Sequence, residues 1–102
     1  MRIAWAGPAT RDLSSIRAFI AQDSEYYADR FIGRIVGAVE SLATFPEMGR
    51  VVPETNAPGI RELLFHNYRI IYRLETDRVL VIAVAHAARD LTRQTPKPWD
   101  VL

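Results

Sequence analysis

Cysteine is absent from this 102-residue chain. That excludes a disulfide framework, a thiolate nucleophile and a cysteine-held zinc site, and leaves stability to packing. Lysine is almost absent as well, since Lys97 stands alone beside twelve arginines. The planar fork of arginine suits carboxylates and phosphates, so the charged surface favours bidentate partners; codon usage is the competing explanation of the bias. An excess of one charge is also missing. Thirteen basic against twelve acidic residues leave a formal charge of +1, which excludes the global field that drives non-specific nucleic-acid binding. No apolar run approaches the roughly 20 residues that span a bilayer, and the first twenty residues carry Arg2, Arg11, Asp12 and Arg17. The expectation is a soluble, cytoplasmic protein of one domain over residues 1–102, with a modest core and an irregular tail from about residue 91.

The hydrophobic pattern predicts an α+β fold. Arg2 to Ala6 reads as an initial strand, closed by Gly7-Pro8, where proline suits a first helical turn. From Pro8 to about Gln22, Leu13, Ile16 and Ile20 lie on one helix face, widened by Phe19. Asp23-Ser24 offers two capping side chains. Ala28, Phe31, Ile32, Ile35, Val39 and Leu42 then predict a second helix over about Ser24 to Thr44. So short a connection predicts an antiparallel hairpin, with Gly33 and Gly37 as a place where the helices approach closely. Pro46 to Gly59, with three prolines and two glycines, reads as one long irregular loop that carries binding potential.

Three strands follow, predicted as an antiparallel meander with the helices on one face of the sheet. The first ends at Phe65 before a tight turn at His66-Asn67, where asparagine tolerates a positive φ. In Tyr68 to Leu74 the even positions are apolar or aromatic while Arg69 and Arg73 point the other way, which predicts an arginine-bearing face opposite the helices. After a turn at Glu75–Arg78, Val79 to Ala85 is apolar throughout, as for a central strand covered on both faces.

These elements in this order, together with five local strings, resemble the RelE/ParE superfamily of type II toxins, and within it the ParE-like, plasmid-stabilisation branch. The strings are Ala9 to Ile16, Phe45-Pro46-Glu47-Met48-Gly49-Arg50, Arg61-Glu62-Leu63, Tyr68-Arg69-Ile70-Ile71-Tyr72 and His86-Ala87-Ala88-Arg89-Asp90. The resemblance implies a small bacterial toxin neutralised by a cognate antitoxin in a hetero-oligomer, with DNA met only through that complex. RelE-like members cut mRNA in the ribosomal A site, whereas characterised ParE-like members poison DNA gyrase. The gyrase-directed, non-enzymatic reading leads, because RNA cleavage needs a group to activate the 2′-OH and cations for the phosphorane. Arg69 matches one functional arginine of RelE. Arg61, beside acidic Glu62, is the only counterpart of an upstream basic pair, and Ala87 or Ala88 stands where RelE has a second arginine. Removing one such donor costs about 100-fold or more. A ribosome-dependent endoribonuclease is the first alternative, which requires Arg61, Arg69, His86 and Arg89 to converge on one concave surface. A non-toxic antitoxin-binding partner is the second.

No catalytic set, metal site or cofactor is therefore expected. Target- or antitoxin-binding candidates are Arg61, Tyr68, Arg69, Arg73, His86, Arg89 and Trp99. Each has a structural alternative. Arg69 is balanced between target binding and an exposed sheet position paired with Glu62, and Arg69→Ala is expected to weaken toxicity with the fold intact. His86 is a general base or a structural histidine bonded to backbone. Tyr68 and Tyr72 suit the core first and stacking second, and Trp99 is a packing anchor or a partner contact.

Overall fold

Ser24 shows most plainly how local chemistry sets an element boundary. Its backbone is extended and its hydroxyl accepts the Tyr27 N–H at 3.1 Å, so of the two capping candidates Ser24, not Asp23, starts the second helix. The computed structural model describes residues 1–93 and 95–100. Strand β1 (Arg2–Trp5) leads through Ala6 into α1 (Gly7–Ala21), and α2 (Glu25–Glu40) folds back along it, with Arg17 and Asp29 paired across the hairpin at 2.7 Å. One 3-10 turn, Ser41–Ala43, extends α2 before the chain leaves the helical layer.

The sheet has five strands where four are expected. Besides β1 it contains β2 (Arg50–Val51), β3 (Ile60–Phe65), β4 (Tyr68–Leu74) and β5 (Arg78–His86), in the order β1-β5-β4-β3-β2. The β3-β4-β5 meander is antiparallel, and β1 joins β5 in parallel, so the sheet is mixed. The extra strand, β2, lies inside the segment expected to be irregular throughout, pairing Arg50 with Glu62 and Val51 with Arg61. Its two residues are too few to produce an alternating pattern. Gly49 sets the approach to it. A Cβ there would lie 2.5 Å from the Glu62 carbonyl oxygen and 2.6 Å from the Tyr72 hydroxyl. That hydroxyl accepts the Gly49 N–H at 3.0 Å and donates to the Pro46 carbonyl at 2.8 Å, clamping the loop to the sheet.

The two-residue turn forms at His66-Asn67, but the positive φ belongs to His66 (52°) rather than to the asparagine. The Asn67 carbonyl instead accepts the Ala87 N–H. Gly33 and Gly37 also depart from expectation: a Cβ at either meets nothing within 4 Å, so they lie away from the α1–α2 contact.

Two apolar clusters sandwich the sheet. On the helical side Ala9, Ile16, Phe31, Ile35, Val39 and Leu42 pack on Ile70, Tyr72, Val79, Val81 and Val84. On the far side Ile60, Ile71, Leu80, Ile82, Ala83 and Ala85 are covered by Val52 and Ala57 of the long loop and by Leu91 and Trp99 of the tail. A register shift sets Ile71 opposite Ala83 and Tyr72 opposite Val81, leaving Ile82 as an extra residue that changes the phase of β5. The unbroken apolar run is thus buried on both faces. Among the described residues, no helix is long and apolar enough to cross a membrane.

Candidate functional site

The far side of the sheet holds a dense cluster of charged side chains. Arg69 on β4 and Glu62 on β3 point to this side with Ile71 and Ile60, and their side chains are 6% and 0% exposed. The Arg69 Nε donates to Glu62 at 2.6 Å, and its two Nη atoms donate to the two carboxylate oxygens of Glu54 at 2.7 Å each. Glu62 accepts a second charge from Arg50 at 2.6 Å. This fork-to-fork geometry is the strong form of the arginine–carboxylate pair. The hydrogen bonds from Arg69 hold the Glu54 carboxyl below the usual carboxylate range, against the opposing effect of burial. Arg69 is raised in turn, first by Glu54 and then by Glu62.

The face that carries Arg69 is therefore covered, not exposed. Of the structural reading of Arg69, the pairing with Glu62 is present and the exposure is not. Glu54 was invisible to pattern analysis because it lies in a loop with no period. It completes the pair by joining the loop, the sheet and the tail, since Arg69 Nη1 also lies 3.4 Å from the Arg89 carbonyl oxygen.

The remaining candidates are dispersed. Arg61 turns to the β2 approach, where its Nη1 donates to the Gly49 and Glu47 carbonyls at 2.8 and 3.4 Å; its buried Nε has no partner among the described residues. Arg73 pairs with Glu75, which also binds Arg78 in the β4–β5 turn. Those two arginines hold Glu75 below its ordinary value, Arg78 first. Tyr68 sits edge-on to both Phe31 and His86, with ring centroids 5.8 Å apart in each case. His86 is exposed, and its Nδ1 accepts the Ala88 N–H at 3.2 Å. Trp99 packs on the far-side cluster.

Among the described residues Arg61, Arg69, His86 and Arg89 do not converge on one concave surface: the guanidinium groups of Arg61 and Arg69 are engaged with carbonyls and carboxylates inside the structure, whereas His86 ends β5 and Arg89 follows it, both exposed. Among the described residues no group of three or more His, Asp or Glu is arranged to hold a metal ion. The exposed surface offers apolar side chains instead, with Phe45 and Met48 beside Pro46 after α2 and Leu64 near the hairpin tip.

Comparison with known proteins identifies relatives of this arrangement. Residues 3–91 match the family model of the ParE toxin of type II toxin-antitoxin systems, parDE. The chain is similar to Toxin RelE2 of Caulobacter vibrioides, at 36% identity over 89 residues, covering 86% of this chain and 97% of the relative. Among solved structures, the chromosomal ParDE toxin–antitoxin system from P. aeruginosa superposes with a TM-score of 0.71 at 20% identity, covering 84% of this chain and 95% of that one. The RelBE2 toxin-antitoxin complex from Mycobacterium tuberculosis does so with a TM-score of 0.63, also at 20% identity, covering 83% and 95%. At that identity the two structures establish a shared fold.

Proposed function

The chain belongs to the ParE toxin family of type II toxin–antitoxin systems, and from that premise we propose that it arrests growth by binding a macromolecular target rather than by cutting RNA. The target in this reading is DNA gyrase in the cytoplasm, and a cognate antitoxin holds the toxin inactive. The state of Arg69 carries the proposal. Its position resembles that of a functional arginine in RelE-type cleavage, yet all three of its side-chain nitrogens are committed to Glu62 and Glu54. A phosphorane needs a cation that reaches it, and a guanidinium 6% exposed between two carboxylates does not. With Arg61 drawn to the Gly49 carbonyl as well, the exposed His86 and Arg89 serve here as contact residues.

A second reading is favoured by one observation, the name RelE2 carried by a relative at 36% identity. Under it the chain is a ribosome-dependent endoribonuclease. Pulse-labelling in bacteria within minutes of inducing the chain without an antitoxin separates the two. An early fall in DNA synthesis is expected. An early fall in protein synthesis would favour the nuclease, and undisturbed growth would favour a non-toxic antitoxin-binding partner.

A further inference from the structure

Arg89 lines a cleft of about 150 Å³ between the start of α1 and the C-terminal tail. Ala83 and Ala85 of β5 form its floor, Pro8 and Pro98 its walls, and Asp12 and Arg89 its charged rim. The hollow has a cause in the topology. β1 pairs with β5 only as far as Trp5 opposite Val81, because the chain then turns into α1, and the rest of β5 has no strand on that side. Asp12 takes the place of the missing strand, accepting the Val84 N–H at 2.9 Å through one oxygen. Its second oxygen has no hydrogen bond among the described residues. Burial raises the Asp12 pKa, opposed first by the Val84 N–H and then by the attraction of Arg89 and Arg11. The Arg89 side chain makes no hydrogen bond or ion pair among the described residues, so its fork stands open on the rim of the cleft.

We infer that this cleft receives an acidic side chain from an extended segment of the antitoxin, its carboxylate held on the guanidinium fork of Arg89 and a neighbouring peptide N–H donated to the second oxygen of Asp12. This assignment rests on the reading of the chain as a neutralised toxin and adds the place of contact. The open fork of Arg89 selects an anionic partner, and its bidentate geometry suits a carboxylate. A small free anion would meet Asp12 with nothing to donate, whereas a peptide brings donor and acceptor together. The volume suits one side chain, being about that of a cavity that holds benzene. The two alanines leave the floor low enough for it to enter.

Isothermal titration of the purified chain with the full-length antitoxin encoded beside it tests the assignment. Arg89→Glu should weaken binding by about 10-fold or more, since it removes the fork and sets a like charge against the incoming carboxylate. Ala85→Leu, which fills the cleft from its floor, should do the same wherever its thermal melting matches that of the parent chain; if it unfolds, Arg89→Glu decides alone. Arg34→Glu, on the exposed side of α2, should stay within about twofold. A folded Arg89→Glu chain that binds as tightly as the parent would overturn the cleft while leaving the antitoxin reading intact. Failure of the parent chain itself to bind would overturn both.

Discussion

The two faces of the sheet are held by different physics. On the helical side, burial is mostly apolar: Ile35, Val39 and Leu42 are fully enclosed, the Tyr72 hydroxyl finds the Gly49 amide and the Pro46 carbonyl, and Arg61 beside it on β3 donates to the Gly49 carbonyl. On the far side, a loop and a tail with little regular structure are drawn over the strands, and a chain of alternating charges, Arg50–Glu62–Arg69–Glu54, ties them down. Apolar packing is indifferent to pH and tolerant of exchange. A buried ion network is neither, because removing one member strands the charge of another.

That contrast is open to attack, and the largest effect is expected where the network is broken at its centre. Arg69→Ala leaves Glu62, fully buried, with only the exposed Arg50 as a partner and should cost about 3–5 kcal/mol in urea unfolding. This replaces the expectation that the substitution spares the fold. A loss below about 1 kcal/mol would show that the cluster contributes little. Ile35→Ala, on the helical side, should cost about 2–4 kcal/mol by the same measurement. The two are told apart by acid. Because Glu54 is held below its ordinary value of 4.5, its contribution is fully present above that pH and is lost as pH falls through the lower value of the folded state. Melting temperatures of the parent chain should therefore drop on acidification below about pH 4.5, and Glu54→Gln should lower stability at neutral pH while flattening that acid limb. Ile35→Ala should shift the whole curve down with its shape unchanged. An acid limb as steep in Glu54→Gln as in the parent would place the titration elsewhere. The smallest effect has the opposite sign. Gly33→Ala and Gly37→Ala should each raise stability by about 0.5–1 kcal/mol, since the added methyl group meets nothing and helix propensity improves.

The same contrast explains what pattern reading reached and what it missed. Periodicity locates α1, α2 and the meander because each buries a repeating face, and Val79 to Ala85 announces a strand covered on both sides before anything says by what. The cover itself was hidden. Val52, Ala57, Leu91 and Trp99 are single apolar residues in irregular segments, and they acquire meaning only when folded onto Ile71, Leu80 and Ile82. Glu62 was visible as the neighbour of Arg61, but Glu54, which holds both ends of the Arg69 fork, lies fifteen residues from it in sequence with no pattern to mark it. Asp12 reads locally as a polar position on an amphipathic helix, and its bond to Val84 spans seventy-two residues. Alternation placed Arg69 on the correct side of β4 but could not show that this side is covered. For the same reason it could not show that Arg61 and Arg73 part from Arg69, while Tyr68 and His86 meet.

In the proposed function the toxin acts by binding, because Arg61 and Arg69 are spent on its scaffold. The most direct test is the supercoiling of relaxed plasmid by purified DNA gyrase in the presence of increasing amounts of this chain. The account predicts inhibition that rises with the toxin and is relieved by adding the antitoxin. Undiminished supercoiling at a large excess of folded toxin would contradict it.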